Sequence, residues 1–171
     1  MADTTHTMNE ALSPIIDELK AKFGENIQDV STFRDDTIVK VSREAIVEIV
    51  TYLRDNTTVP FPLCEDVFGI DTFERKNRFQ VNYHFWSVEK KVRIHLKVEV
   101  DERDPHLPSI VGVFPGANWY EREAYDMIGV FFDNHPDHRR AYMPEDYEYY
   151  PLRKDFPMMG VPGSIPLPKR S

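Results

Sequence analysis

The stretch from Arg78 to Asp101 constrains the fold of this chain more than any other. Phe79, Val81, Tyr83 and Phe85 alternate with Arg78, Gln80, Asn82 and His84. After a turn centred on Glu89-Lys90, Val92, Ile94, Leu96, Val98 and Val100 alternate with Arg93, His95, Lys97, Glu99 and Asp101. A period of two on both sides of a turn predicts a long hairpin whose strands each carry one apolar face. Pairing positions whose numbers sum to 179 sets Phe85 opposite Ile94, Tyr83 opposite Leu96, Val81 opposite Val98 and Arg78 opposite Asp101. A slip of one residue would mix apolar with polar on both faces, so the register is strongly specified. The resulting sheet buries one face and leaves the other polar.

Other elements fall around this hairpin. Residues 9–23 predict an amphipathic helix, with Leu12, Ile15, Ile16, Leu19 and Phe23 at three- and four-residue spacing and Gly24 as its stop. Two short strands are expected near 28–34 and 37–41, across an Asp35-Asp36 turn. Ser42 suits the N-cap of a helix over 43–55 whose apolar stripe is Ile46, Ile49, Val50 and Leu53. A strand running through Glu65 to Phe73 should join the hairpin, 102–108 reads as a loop, and Ser109 to Phe114 suggests a short strand. A third helix is expected over 117–128, stopped by Gly129. This order predicts an α+β fold, a mainly antiparallel sheet with helices packed on one face.

Beyond Gly129 the composition changes. Seven of the chain's 13 prolines lie between Pro136 and Pro168, so this part should be extended and irregular. The expected organisation is therefore a core domain over 1–129 and an extended, partner-wrapping segment over 130–171. A net charge of −8 argues against nonspecific nucleic-acid binding, which needs a basic face, and against direct adhesion to an anionic membrane. The single cysteine, Cys64, follows Pro62 and Leu63 and reads as a small buried hydrophobe; it excludes an internal disulfide. The opening MADTTHTMNE has no basic or apolar run and predicts no secretory signal. No run approaches the roughly 18 apolar residues of a membrane-spanning helix, so membrane association is expected only through partners.

Charged, aromatic and proline residues crowd the stretch from Trp119 to Gly160. On the third helix Glu123 and Asp126 share a face, and Arg122 and Asp126 stand at the spacing of a helix-surface ion pair. Helical di-iron sites use a Glu-x-x-His pair on one face, and none occurs here. His135 and His138 form a two-His hook without a located third ligand, and His84 and His95 face each other across the hairpin. A metal-dependent enzyme built on His84, His95, His135 or the 121–126 acids is thus one reading. The other is a docking surface: Arg139, Arg140, Arg153 and Lys154 interleave with Glu145, Asp146, Glu148 and Asp155 among five aromatic residues. Balanced charge with tyrosine and arginine suits a protein partner. The aromatic residues would otherwise fold back onto the chain's own core. The common hydrolase and nucleotide-binding motifs are absent from the sequence.

Four ordered elements resemble a known signature. Glu121-Arg122-Glu123, then Tyr125-Asp126-Met127-x-Gly129, then His135-Pro136-Asp137-x-Arg139-Arg140, then Pro151-Leu152-Arg153-Lys154-Asp155-Phe156-Pro157 resemble the thirty-kilodalton subunit of the proton-pumping NADH:quinone oxidoreductase, respiratory complex I. His138 departs from an aliphatic position of that pattern, and Tyr149-Tyr150 from a position often held by glycine and a small or polar residue. The resemblance implies a peripheral-arm subunit with no redox centre and no active site of its own. Its own chain would hold no cofactor, while the assembled complex would hold FMN and iron–sulfur clusters and use NADH and a quinone. It would dock beside the subunit that helps form the quinone site and near the subunit that holds the terminal iron–sulfur cluster, on the cytoplasmic face of the inner membrane. Glu121, Arg122, Glu123, Asp126, His135, Pro136, Arg139, Arg140, Pro151, Leu152, Arg153, Lys154 and Asp155 would form the interface. Related subunits also serve hydrogenase-type and ferredoxin-fed complexes, and this chain does not name the electron donor.

Overall fold

A computed structural model describes residues 11–34 and 36–163. Helix α1 spans Ser13–Phe23. Pro14 sits in its first turn, where a missing N–H costs nothing. The expected positions 9 and 10 lie outside the described residues. Strands β1 (Ile27–Phe33) and β2 (Asp36–Val41) follow, then helix α2 (Ile46–Asp55). The hairpin arms are β4 (Phe79–Ser87) and β5 (Val92–Val100), preceded by β3 (Leu63–Asp71). After β5 come a three-residue strand β6 (His106–Pro108), helix α3 (Ala117–Ile128) and strand β7 (Phe131–Asp133).

The hairpin register is the predicted one: Phe79 pairs with Val100, Tyr83 with Leu96, His84 with His95 and Phe85 with Ile94. The five-stranded sheet runs β1-β2-β5-β4-β3. Three of its pairings are antiparallel and one, β2 with β5, is parallel. Ile15, Ile16 and Leu19 of α1, all four stripe residues of α2, and Ala124 and Ile128 of α3 join the sheet's inner face in one apolar cluster. Gly69 in β3 lets α3 approach: a side chain there would collide with the Ile128 side chain.

Several expectations need correction. Residues 102–108 are not all loop, because His106–Pro108 pairs in parallel with Phe131–Asp133. Residues 109–114 form turns rather than a strand, because the Glu121 carboxylate captures the Ser109 hydroxyl and the Ile110 N–H. The second helix opens with a 3-10 turn over Arg43–Ala45, and Ser42 does not cap it. Its hydroxyl donates to Asn26 Oδ1 at 2.7 Å instead. Arg78, placed opposite Asp101 by the register, directs its guanidinium to Asp71.

From Asn134 to Gly163 the described chain forms neither helix nor strand. This segment, called the strap below, runs back along α3.

Candidate docking site

Helix α3 supplies the residues that hold the strap. Asp126 is fully buried, and its carboxylate meets four donors. Oδ2 accepts the N–H groups of Ala141, Tyr142 and Met143 at 3.1, 2.6 and 2.9 Å. Oδ1 accepts Arg140 Nη1 at 2.6 Å. Burial alone would raise the Asp126 pKa; the N–H groups of Met143 and Tyr142 and the Arg140 guanidinium outweigh it and hold the group below the usual carboxylate range. The expected Arg122–Asp126 pair is replaced by this arrangement. Arg122 donates to the carbonyls of Arg139 and Arg140 at 2.9 and 3.0 Å and lies under the Trp119 ring at 4.5 Å. Glu123 accepts the Tyr142 hydroxyl at 3.0 Å.

Glu121 is also fully buried. It accepts Ser109 Oγ at 2.6 Å and Ile110 N at 2.8 Å. Burial raises its pKa to about 7 although both hydrogen bonds favour the anion. His135 Nε2 lies 3.9 Å from this carboxylate. That ring is held otherwise: Asp137 N donates to Nδ1, so the proton sits on Nε2, which donates to the Asn118 carbonyl. Burial lowers the His135 pKa, in keeping with a neutral ring. His138 accepts the Phe132 N–H through Nε2, so it too has a structural partner. Arg139 is exposed and forms a fork with Asp137, while Pro136 is exposed beside it.

The second half of the strap closes on the end of α3. Gly129 stops the helix in the left-handed conformation, φ 81°. The space a side chain would fill there is taken by Arg153, whose Nη2 would lie 2.5 Å from a Cβ. Arg153 Nε donates to the Ile128 carbonyl at 2.7 Å, and Leu152 N to the Met127 carbonyl at 3.0 Å. Both bonds satisfy carbonyls that a helix end leaves open, and the cation complements the helix dipole. Tyr150 and Phe79 flank the guanidinium at 4.3 and 4.8 Å. Pro151 is half-buried, whereas Leu152 is 60% exposed.

Lys154 and Asp155 reach a hub that sequence reasoning missed. Buried Asp71 at the end of β3 takes a bidentate bond from Arg78 at 2.9 and 2.7 Å and accepts Lys154 N at 2.8 Å. Asp155 and Glu102 stand 3.0 and 2.7 Å from the same guanidinium. Burial opposes ionisation of Asp71, but Arg78 and the Lys154 and Phe73 N–H groups prevail and hold it at about 2. Nothing local in the sequence links Asp71 to Lys154, 83 positions away.

The candidate metal ligands do not converge. His84 and His95 stack face to face, centroids 4.0 Å apart and planes 20° apart, so their ring lone pairs lie in two near-parallel planes. Among the described residues no group of three or more His, Cys, Asp or Glu could hold a metal ion. Cys64 is half-buried, and burial pushes its thiol up to about 12. Among the described residues no helix is long and apolar enough to cross a membrane.

Fold and site together define an α+β domain that carries a pre-bonded, proline-rich strap on its last helix. The sequence matches the family described as the 30 Kd subunit of the respiratory-chain NADH dehydrogenase over residues 39–162. The chain belongs to that family. It is 43% identical over 144 residues to the corresponding NADH-quinone oxidoreductase subunit of Roseiflexus sp. (strain RS-1), covering 84% of this chain and 83% of the relative. The equivalent subunit of Chelativorans sp. (strain BNC1) is 42% identical, with 90% of this chain and 76% of the relative covered. Among solved structures, the trypsin-resistant fragment (1–134) of Nqo5 superposes with a TM-score of 0.64 at 29% identity, covering 74% of this chain and 98% of the fragment. A chain of the archaeal membrane-bound sulfane sulfur reductase shares the fold, with a TM-score of 0.71 at 22% identity and 85% of each chain covered.

Proposed function

We propose that this chain is a non-redox structural subunit of an NADH-quinone oxidoreductase, with no active site of its own. It supports electron transfer from NADH to quinone, coupled to proton translocation, by docking in the peripheral arm. The partners are the quinone-site subunit and the terminal-cluster subunit; FMN, the iron–sulfur clusters and the membrane contacts belong to other chains. The docking face lies toward the cytoplasm, residues 1–129 form the core, and residues 130–171 engage the partners.

The observation that carries this reading is where the signature residues spend their bonding capacity. Asp126, Arg140, Arg122 and Arg153 are committed to backbone groups and to one another. Groups so committed give shape and have little capacity left for chemistry on a substrate. They hold Pro136, Arg139, Tyr142 and Leu152 outward on a fixed backbone, as a prearranged binding surface requires.

Arg153→Ala tests it. Loss of the guanidinium frees the Ile128 carbonyl and lets the strap leave the helix end. Assembled complex should fall several-fold, and NADH-driven quinone reduction with it, while turnover per assembled complex stays the same. Wild-type amounts of active complex would refute the assignment of Arg153, and normal assembly with lost turnover would refute the structural role.

A further inference from the structure

We infer that the β3–β4 loop and the strap form one docking surface, anchored by Phe73, for a protein partner that offers an apolar recess rimmed by carboxylates. The inference rests on the docking role proposed above and adds to it a loop outside the signature.

One buried carboxylate joins the two segments. Asp71 Oδ1 accepts the Phe73 N–H at 2.8 Å, and Oδ2 accepts the Lys154 N–H at 2.8 Å. Arg78 seals the junction through Asp71 on one side and Asp155 on the other. The N–H and hydroxyl of Thr72 both bond the Arg78 carbonyl and close the loop over residues 73–77. Within this rigid frame Phe73 has φ 59°, a region that bulky side chains rarely occupy. Phe73 is nonetheless 62% exposed, with the Arg78 guanidinium 5.2 Å from its ring. Backbone strain at a displayed aromatic residue marks a position held for something other than packing.

The strap adds apolar surface on either side of Lys154. Leu152 is 60% exposed, Met158 100% and Met159 95%. Isolated exposed apolar side chains are ordinary, but four on two segments tied to one carboxylate make a patch. Its charge gives the partner's chemistry. Arg75, Lys76 and Lys154 are exposed and form no ion pair among the described residues, against one such acid, Glu74, whereas Asp155 and Glu102 are engaged with Arg78. An apolar patch whose unpaired charges are three cations and one anion, on a chain of net charge −8, is complementary to an acidic rim around an apolar recess. An anionic bilayer would repel the rest of the chain, and a flat lipid surface makes no use of an aromatic side chain fixed in one direction.

The test uses the assembled complex. Phe73→Gly removes the ring and suits the left-handed backbone, so the isolated variant should unfold at or above the wild-type midpoint. The expected result is ~10-fold less of the variant co-purifying with the other subunits. In the wild-type complex, zero-length carbodiimide coupling should join Lys76 and Lys154 to Asp or Glu side chains of one partner subunit. Undiminished co-purification of Phe73→Gly, or coupling through neither lysine, overturns the inference. So does Phe73-dependent binding of the isolated chain to phosphatidylglycerol–phosphatidylethanolamine vesicles, which would assign the patch to lipid. A wild-type chain that co-purifies with no other subunit defeats the docking role itself and this inference with it, a result read without any variant.

Discussion

Glu121 and Asp71 are both buried carboxyls, yet their surroundings drive them in opposite directions. Asp71 faces a guanidinium and two N–H groups and stays ionised; Glu121 has a hydroxyl and one N–H, and burial dominates. The signs follow from linkage. The Glu121 pKa is raised to about 7 from 4.5, so its contribution to stability is complete below about pH 4.5 and is lost as pH rises through 7. That loss amounts to ~3 kcal/mol. Glu121→Gln keeps hydrogen-bonding capacity toward Ser109 and Ile110 without the charge. Its urea-unfolding free energy should fall less than the wild type's between pH 5 and pH 8, and an identical pH slope would mean that Glu121 is not the titrating group. Asp71 works in the lower window: its contribution is present above about pH 3.8 and is lost as pH falls through 2. The sequence marked Glu121 as a signature residue and passed over Asp71. Their opposite behaviour comes from burial at Glu121, which the Ser109 and Ile110 donors do not offset, and from Arg78 with the distant Lys154 N–H at Asp71.

At the scale of elements, the parts legible in the sequence were those fixed by local periodicity and by chain-stopping residues. The hairpin register follows from alternation, and α3 ends where Gly129 permits a left-handed turn. The parts that misled depend on distant groups. Residues 109–114 carry a strand-like composition, but the Ser109 hydroxyl and the Ile110 N–H go to Glu121 on the next helix, and the Val113 and Phe114 N–H groups turn back to the Ile110 carbonyl. β6 and β7 are three residues each and exist only because they meet across the length of α3. Arg122 and Asp126 had helix spacing for an ion pair, and the strap offered each of them more hydrogen bonds than they could give one another. Removing one member of that network strands the others. Asp126→Ala should cost roughly 3–5 kcal/mol, because Arg140 and three N–H groups lose their acceptor. Limited proteolysis should then cut faster between residues 137 and 146 than in the core. Equal resistance to cleavage in variant and wild type would show that Asp126 does not secure the strap.

For the whole molecule, the sequence pattern was enough for the α+β class and for helices on one face, but not for the parallel contact of β2 with β5. Strand order in a sheet is decided by which edges remain open after local hairpins form, and no pattern within either strand records it. The docking reading came from a signature whose residues act through one another: α3 provides the Asp126 acceptor and the Arg122 guanidinium, the strap provides N–H groups, carbonyls and the Arg140 and Arg153 guanidinium groups, and Asp71, outside the signature, ties the strap to the end of β3. A binding segment ordered in advance loses less entropy when its partner arrives. Hydrogen exchange of the isolated chain at neutral pH reads that order directly. A strap built before docking predicts ~100-fold or greater protection of the Ala141, Tyr142 and Met143 amides in the free protein. Exchange of those amides at the rate of an unfolded chain, with protection gained only in the assembled complex, would contradict it.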